Sequence, residues 1–397
     1  MAWALRVTKV HLLNGYHSVV NMAKENGTIL LSDYADGIAD TDVLDQRDIS
    51  PILQGLYGEV GGIMSTAKKH IREKLAYPGY KLAAEEEFGD TLWYLAALCR
   101  RLGFQLEEVF SEAVGTEDFR IQSAAGDTLE GALAHVAMPT STGSVDATLF
   151  KLGRSAALLL EPAPDRSKIV TFAKDYLDAL YAAKLAFSDV ARSNMRKARG
   201  AFLDPGPEDL VDFDAKFEKD EQLPREFAIR INERASGRSY LQWNGVFVGD
   251  PLTDNIADLD GYRFHDVFHL AYAAILHWSP VVRALIKHKR KSQPEYDENQ
   301  DSGRAIVVEE GLTAWLFSKA KELDFFESHN RISLGILKTV NEFVAGYEVA
   351  ECPLKLWERA ILDGYTVFRQ LKVAQGGWIV GNRANRTIHY EPLESRN

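Results

Sequence analysis

Glu87 and Asp90 combine a residue type and a spacing that suggest metal chemistry. They lie three residues apart in EEEFGDTLWYLAALCRRLG (85–103), whose apolar residues recur at helical spacing, so both carboxylates share one helical face. Glu86 lies beside them, and Glu59 belongs to the preceding helical segment. Grouped anions at the edge of a core cost on the order of several kcal/mol unless a counter-ion is present. A hard divalent cation such as Mg²⁺, which takes oxygen ligands, would supply that charge.

A second interpretation of the same acids needs no metal. Acidic residues in the first turn of a helix interact favourably with the helix dipole, by about 0.3–1 kcal/mol each. The spacing alone favours this dipole interpretation. The metal hypothesis therefore depends on what the rest of the chain places around the acids.

Two helical segments must position these residues. Apolar residues recur at three- and four-residue spacing over 51–72 and again over 81–111, and the turn signal YPGY at 77–80 separates the two runs. This pattern predicts a helical hairpin. Closing the hairpin brings Glu59 toward the acids of the second helix.

A second pair of helices is predicted over 146–161 and 166–200. Its apolar pattern can be laid on that of the first pair, which suggests a degenerate internal duplication. Two similar helical pairs can also arise by chance in a helix-rich chain, so both explanations stay open. The positions that would match Glu59 and Glu87 are apolar or basic, which makes the second pair structural rather than catalytic.

The composition changes after Ala201, where the chain becomes acidic and contains prolines, and this change predicts a domain boundary. Asn244-Gly245 between apolar runs predicts a two-residue β-hairpin turn, and a second short hairpin is predicted near the end of the chain. Helices are predicted over 263–290, 304–323 and 332–372. We therefore expect a mainly α protein, with short β hairpins in a mostly helical C-terminal domain, organised as residues 1–122, 123–200 and 201–397.

The first hairpin resembles the MazG-like, all-α nucleoside triphosphate pyrophosphohydrolases, on the residues GLYGEVGGIMSTAKK (55–69) and EEEFGDTLWYLAALCRRLGFQLEEV (85–109). In that family a helix with an ExxE pattern faces a helix with an ExxD pattern, and the four acids bind Mg²⁺. The resemblance implies a helical bundle and an enzyme that releases pyrophosphate and a nucleoside monophosphate. Mn²⁺ is an alternative cofactor.

Carried over to this chain, the resemblance implies that Glu59, Glu87 and Asp90 are metal ligands and catalytic residues. Gly62 stands where the second glutamate of the ExxE pattern belongs, so the fourth acid is missing. Glu86 is the candidate substitute for it. The same departure supports an alternative function, a nucleotide-binding regulator with a weakened site.

Four residues are candidates for contact with the substrate. Lys68 and Lys69 follow the first acidic helix face, and ARSNMRKAR (191–199) resembles the closing Asn-and-Lys helix of the family, which implicates Asn194 and Lys197. The alternative for the latter two is a solvated helix face. Family members often pair their helices by dimerisation, so a homo-oligomer is one expectation; a second helical pair within the chain is the other.

His265 and His269 form a second constellation, because their i, i+4 spacing suits metal chelation on one helical face. Glu309 and its neighbour Glu310 are candidates to complete a second metal site. Asp266 is not expected to face both histidines. Buried histidines that only form hydrogen bonds are the alternative. This region resembles the C-terminal domain that accompanies MazG-like domains in some bacterial proteins.

The composition limits the partners and the cellular compartment that can be expected for this protein. The chain has 397 residues, a net charge of -11 and two cysteines, and it contains no long apolar run. Nucleic acid is an unlikely partner for such an acidic chain, although KHKRK at 287–291 leaves a nucleic-acid-associated protein as a third hypothesis. The few cysteines and the lack of a signal-like start predict a cytoplasmic protein without membrane segments.

Overall fold

Residues 29–77, 79–115, 120–121 and 144–396 are described by the structure, which is a computed structural model. The chain forms two compact units, Met1–Arg199 and Gly200–Asn397, here called the N-terminal and C-terminal units. Both predicted helical pairs lie in the N-terminal unit. Residues 1–28, which belong to the first predicted segment, lie outside the described residues.

The described part of the N-terminal unit is built from helices and one short strand pair. The strands β1 (Ile29–Leu30) and β2 (Arg120–Ile121) pair in antiparallel fashion. The helices are α1 (Leu31–Ala39), α2 (Ser50–Glu73), α3 (Tyr80–Leu102), α4 (Leu106–Val114), α5 (Val145–Leu158), α6 (Arg166–Ala182) and α7 (Phe187–Phe202).

Local sequence explains where these helices begin and end. The hydroxyl of Ser144 accepts a hydrogen bond from the Ala147 amide and caps α5, and Asp165 caps α6 in the same way. The predicted helix over 81–111 divides in two, because Gly103 adopts a left-handed conformation (φ 75°) and ends α3. Local capping thus sets the boundaries that apolar periodicity could not resolve.

Two helical pairs share one hydrophobic core. Helix α2 packs against α3, α5 packs against α6, and α2 also contacts α5. Between α3 and α6, the Tyr176 hydroxyl donates to the Phe88 carbonyl at 3.0 Å and the two rings lie 5.6 Å apart. Leu92, Leu95 and Leu152 are fully buried in this core. The second pair therefore completes a helical bundle, while its origin by duplication stays a prediction.

The C-terminal unit contains a five-stranded antiparallel sheet in the order β5-β4-β3-β6-β7. Its strands are β3 (Glu226–Glu233), β4 (Ser239–Trp243), β5 (Val246–Leu252), β6 (Gly376–Asn382) and β7 (Thr387–Glu391). Asn244 and Gly245 both have positive φ, 49° and 79°, as a primed hairpin turn requires. The predicted class, mainly α with short β hairpins, is confirmed. The sequence did not predict that β3 pairs with β6 and so joins the two hairpins in one sheet.

The helices of the C-terminal unit match the prediction over 304–323 and are shorter than predicted elsewhere. They are α8 (Asp266–Ala271), α9 (Pro280–Ile286), α10 (Pro294–Asn299), α11 (Gly303–Glu322), α12 (Leu334–Phe343) and α13 (Leu354–Ala374). The predicted helix over 263–290 is interrupted by a π-helical turn at Tyr272–Leu276 and by His277, whose φ is 59°. Ser279 then caps α9 through a bond from the Val282 amide. The 332–372 helix likewise divides, with Gly346 at φ 88° between its parts.

Arg290 belongs to the interior of this unit. It is fully buried and pairs with Asp301 at 2.7 Å and Glu348 at 2.5 Å. Nearby Arg283 is also fully buried and pairs with Asp214. The single arginine of KHKRK is thus paired with internal carboxylates, so it is not available to bind a phosphate. Breaking such a pair leaves an uncompensated buried charge.

We predict that the bundle core depends on the second helical pair. Leu152→Ala removes a fully buried side chain from α5 and should destabilise the N-terminal unit by ~2–5 kcal/mol. Phe150→Ala on the same helix, where the side chain is 68% exposed, should change stability by less than about 0.5 kcal/mol. Hydrogen–deuterium exchange of peptides from this unit measures both. Equal protection in the two variants would contradict the shared core.

Candidate functional site

Two packed helices of the N-terminal unit bring the predicted acids together. Helix α2 carries Glu59, and α3 carries Glu86, Glu87 and Asp90; these four residues are here called the acid cluster. A hydrogen bond links Glu59 to Glu87, and both Glu87 and Asp90 lie close enough to Glu59 to act on its charge. The hairpin therefore places these carboxylates at one location.

Helix α7 adds two residues that contact the acid cluster directly. Lys197 Nζ donates to Glu86 Oε1 at 2.7 Å and to the two Asp90 oxygens at 2.8 and 2.5 Å. Asn194 Nδ2 donates to Asp90 Oδ1 at 3.1 Å. The side chains of Lys197 and Asp90 are only 24% and 20% exposed, so this ion pair is partly shielded from water. Both residues implicated by the closing-helix resemblance thus lie at the cluster.

Tyr34 supports this arrangement and was missed by sequence reasoning. Its hydroxyl donates to Asn194 Oδ1 at 2.7 Å, which leaves the Asn194 amide group to face Asp90. The side chain is fully buried, and burial, followed by Tyr176 and Asp90, holds the pKa of Tyr34 well above its usual value. No local motif connects residues so far apart in the chain, so the sequence offered no signal for it.

Electrostatic crowding is strongest at Glu59. Burial, and then the negative charges of Asp90 and Glu87, raise the pKa of Glu59 to about 7, while Lys197 acts in the opposite direction. Without a further cation, Glu59 therefore carries a proton for part of the time near neutral pH. A group with this pKa can accept or release a proton under physiological conditions.

Gly62 and Gly89 permit the close approach of the three helices. A Cβ atom at position 62 would lie 2.1 Å from Glu87 Oε2, so the Glu87 carboxylate fills the space that a side chain there would need. A Cβ atom at position 89 would lie 2.9 Å from Asn194 Cβ. Gly62 thus leaves room for the Glu87 carboxylate, which a side chain at this position would displace.

Lys68 and Lys69 lie elsewhere on α2. Both are exposed, and helix geometry places them about 14–15 Å along the axis from Glu59. The structure does not bring either lysine to the acid cluster. A role in substrate contact would require a long substrate that extends along the helix.

The chemistry of the acid cluster fits a hard divalent cation. Its carboxylates come from two facing helices, and all of its donors are oxygens. Burial, and then the negative charges of Asp90 and Glu87, raise the pKa of Glu59. Mg²⁺ prefers such ligands and usually retains several waters. Glu59, Glu87 and Asp90 are the residues that would hold it.

The C-terminal unit contains a separate histidine cluster, defined as His265, Asp266, His269 and Glu310. Ligand atoms of the first three lie within 4.8 Å of one another. Glu310 Oε2 lies 3.7 Å from His265 Nε2 and 3.5 Å from His269 Nε2. The expectation that Asp266 does not face both histidines was wrong, because α8 begins at Asp266 and His265 precedes its first turn.

Glu309 contacts His269 from the other side. Its Oε1 accepts hydrogen bonds from His269 Nδ1 (2.8 Å) and the Ser279 hydroxyl (2.6 Å), and its Oε2 accepts the Val281 amide (2.8 Å). Burial lowers the pKa of His269, but Glu309 and Glu310 together raise it to about 10. The predicted metal ligand Glu309 is therefore engaged behind His269, and Glu310 faces the histidine pair instead.

A comparison with known protein families matches residues 208–394 to the family described as the MazG C-terminal domain. This match covers the sheet and the histidine cluster, so the C-terminal unit is a MazG-related C-terminal domain. No curated protein and no solved structure matches the chain. None of the described helices has the length and apolar character needed to cross a membrane.

We predict that two neighbouring glycines of α2 respond differently to alanine. Gly61→Ala meets no atom within 4 Å, so it should only stabilise the helix, by up to about 1 kcal/mol. Gly62→Ala gains the same propensity but displaces the Glu87 carboxylate, and should weaken Mg²⁺ binding roughly tenfold. The Mg²⁺-dependent shift in thermal unfolding measures both effects. Identical shifts in the two variants would mean that Glu87 does not contribute to metal binding.

Proposed function

We propose that the N-terminal unit is an Mg²⁺-dependent nucleoside triphosphate pyrophosphohydrolase, which cleaves between the α and β phosphates. The observation that carries this proposal is the convergence of Glu59, Glu87 and Asp90 from two facing helices, with Lys197 bound to Asp90. The resemblance of the two helices to MazG-like enzymes supports the same reaction. Both cysteines are free and buried, which suits a reducing cytoplasmic setting.

Each residue of the site has a role in this reaction. Glu59, Glu87 and Asp90 would together hold the metal, with Glu59 contributed by α2 and the other two by α3. The ammonium group of Lys197 can exchange its ion pair with Asp90 for one with a substrate phosphate. Asn194, held by Tyr34, orients Asp90. Bound Mg²⁺ would neutralise charge on the phosphates and on the leaving pyrophosphate.

A nucleotide-binding regulator is the second candidate. Gly62 removes one acid of the family pattern, and Lys197 already neutralises part of the charge of Asp90. Both features reduce the demand of the site for metal. A regulator would bind a nucleoside triphosphate without releasing pyrophosphate, so equilibrium binding and turnover, measured on the same protein, separate the two functions.

We predict that Glu87→Gln and Asp90→Asn each reduce pyrophosphate release by roughly 10²–10³, because both remove a charge while preserving shape. Glu85→Gln is the matched control, since Glu85 lies on the same helix but interacts with Asp189 and Lys81. The assay screens canonical, deoxy and modified nucleoside triphosphates with Mg²⁺ and with Mn²⁺. Circular dichroism verifies that each variant remains helical.

Three outcomes of this assay can be distinguished. Loss of turnover in Glu87→Gln and Asp90→Asn, but not in Glu85→Gln, supports the enzyme. Nucleotide binding by the wild type without pyrophosphate release supports the regulator. Full turnover in either acid-cluster variant would exclude the substituted residue as a ligand.

A further inference from the structure

The histidine cluster has ligand spacings that suit a bound metal. Glu310 Oε2 lies 3.7 and 3.5 Å from the Nε2 atoms of His265 and His269. A tetrahedral ion with bonds of about 2.0–2.1 Å separates its ligand atoms by about 3.4 Å. These separations are too long for well-formed hydrogen bonds and close to the edges of a metal coordination polyhedron.

An oxygen atom holds the Nδ1 side of each histidine, as is common for metal ligands. His265 Nδ1 lies 2.9 Å from the Tyr262 carbonyl, and the two rings of these residues stack at 4.4 Å. His269 Nδ1 donates to Glu309, which is itself held by Ser279 and the amide that begins α9. A carboxylate or carbonyl behind each imidazole fixes the tautomer that presents Nε2 to a metal.

One buried ring nitrogen in the cluster has only a long contact, to Glu310 at 3.5 Å. His269 is only 1% exposed, and its Nε2 forms no hydrogen bond within the described part of the chain. A buried ring nitrogen without a hydrogen bond is energetically unfavourable. This nitrogen faces Glu310, and a metal ion between them would satisfy both groups.

We propose that His265, Asp266, His269 and Glu310 bind a divalent transition-metal ion, with Glu309 and the Tyr262 carbonyl as positioning groups. Two imidazoles favour Zn²⁺, Fe²⁺ or Mn²⁺ over Mg²⁺, which prefers oxygen ligands. The C-terminal unit thus carries a metal centre of a different class from the acid cluster. This proposal does not depend on hydrolysis at the acid cluster.

The metal centre is reachable through Glu310. This residue also lines a cavity of about 770 Å³, whose mostly apolar walls include Trp243, Phe247 and Leu285. The side chain of Glu310 is 41% exposed, whereas His269 is buried. A metal bound here would therefore have its histidine side enclosed and its Glu310 side directed to a cavity of the size that small-molecule sites have.

The competing explanation is a buried ion pair without metal. In that case a protonated His269 bridges Glu309 and Glu310, and His265 is a neutral core residue. Metal content distinguishes the two explanations directly, because an imidazolium has no lone pair for a metal.

The test uses the full chain, stripped with a chelator and titrated with Co²⁺ and Zn²⁺ in the presence of excess Mg²⁺. Co²⁺ reports its coordination through visible absorption. We expect one equivalent of Co²⁺ with the spectrum of imidazole-ligated metal, and at least a tenfold loss of affinity in His269→Gln and Glu310→Gln. Glu309→Gln should weaken binding roughly 10–100-fold by releasing His269.

Two matched controls isolate the site. Glu87→Gln alters only the acid cluster and should retain the Co²⁺ spectrum, as should His329→Gln, which changes an exposed histidine of the C-terminal unit. Glu310→Gln, at a partly exposed position, keeps the test valid if the buried His269→Gln does not fold. Absence of the spectrum in the wild type, or equal binding in wild type and Glu310→Gln, would overturn the proposal and leave the cluster as an ion pair.

Discussion

Compensation of partly buried carboxylate charge is the constraint on which both units depend. In the N-terminal unit, Asp90 receives an ammonium group and an amide, both from α7, so that helix must pack where the acids lie. In the C-terminal unit, Asp301 is fully buried and receives the guanidinium of Arg290. Charges removed from water are tolerated only with such partners. The positions of several helices follow from this requirement.

The acid cluster depends equally on close helix packing. Carboxylates on separate helices can share one ion only if the helix axes approach closely, and small residues at the contact make that approach feasible. Gly62 admits the Glu87 carboxylate, and Gly89 admits Asn194. Bundle packing by the second helical pair then holds α2 and α3 in place. Electrostatics and packing therefore act on the same few positions.

Sequence reasoning predicted features that depend on short-range patterns. The first helical hairpin, the Asn244-Gly245 turn and the shared face of Glu87 and Asp90 all follow from spacing within a few residues. It did not predict the Tyr34 contact, the π-helical turn after α8, or the pairing of β3 with β6. Each of these depends on contacts between segments that are distant in the chain. Short-range patterns in the sequence do not reveal such contacts.

The choice between Glu309 and Glu310 illustrates the same limit at the scale of one residue. The two glutamates are adjacent on α11, so their side chains point about 100° apart around the helix axis. Which of them faces the histidines depends on the rotation of α11, and that rotation is set by packing against the rest of the unit. Glu309 is fully buried against the start of α9, which leaves Glu310 toward the histidine pair.

The charge of the acid cluster can be compared with the MazG-like pattern, which has a glutamate where this chain has Gly62. Lys197 pairs with both Glu86 and Asp90, so it compensates part of the negative charge that surrounds Glu59. Glu86 lies at the more exposed rim, where water screens its charge. A glutamate at position 62 would add a further negative charge and would compete with Glu87 for space. Gly62 and Lys197 thus act in the same direction, because both limit the uncompensated negative charge at the acid cluster.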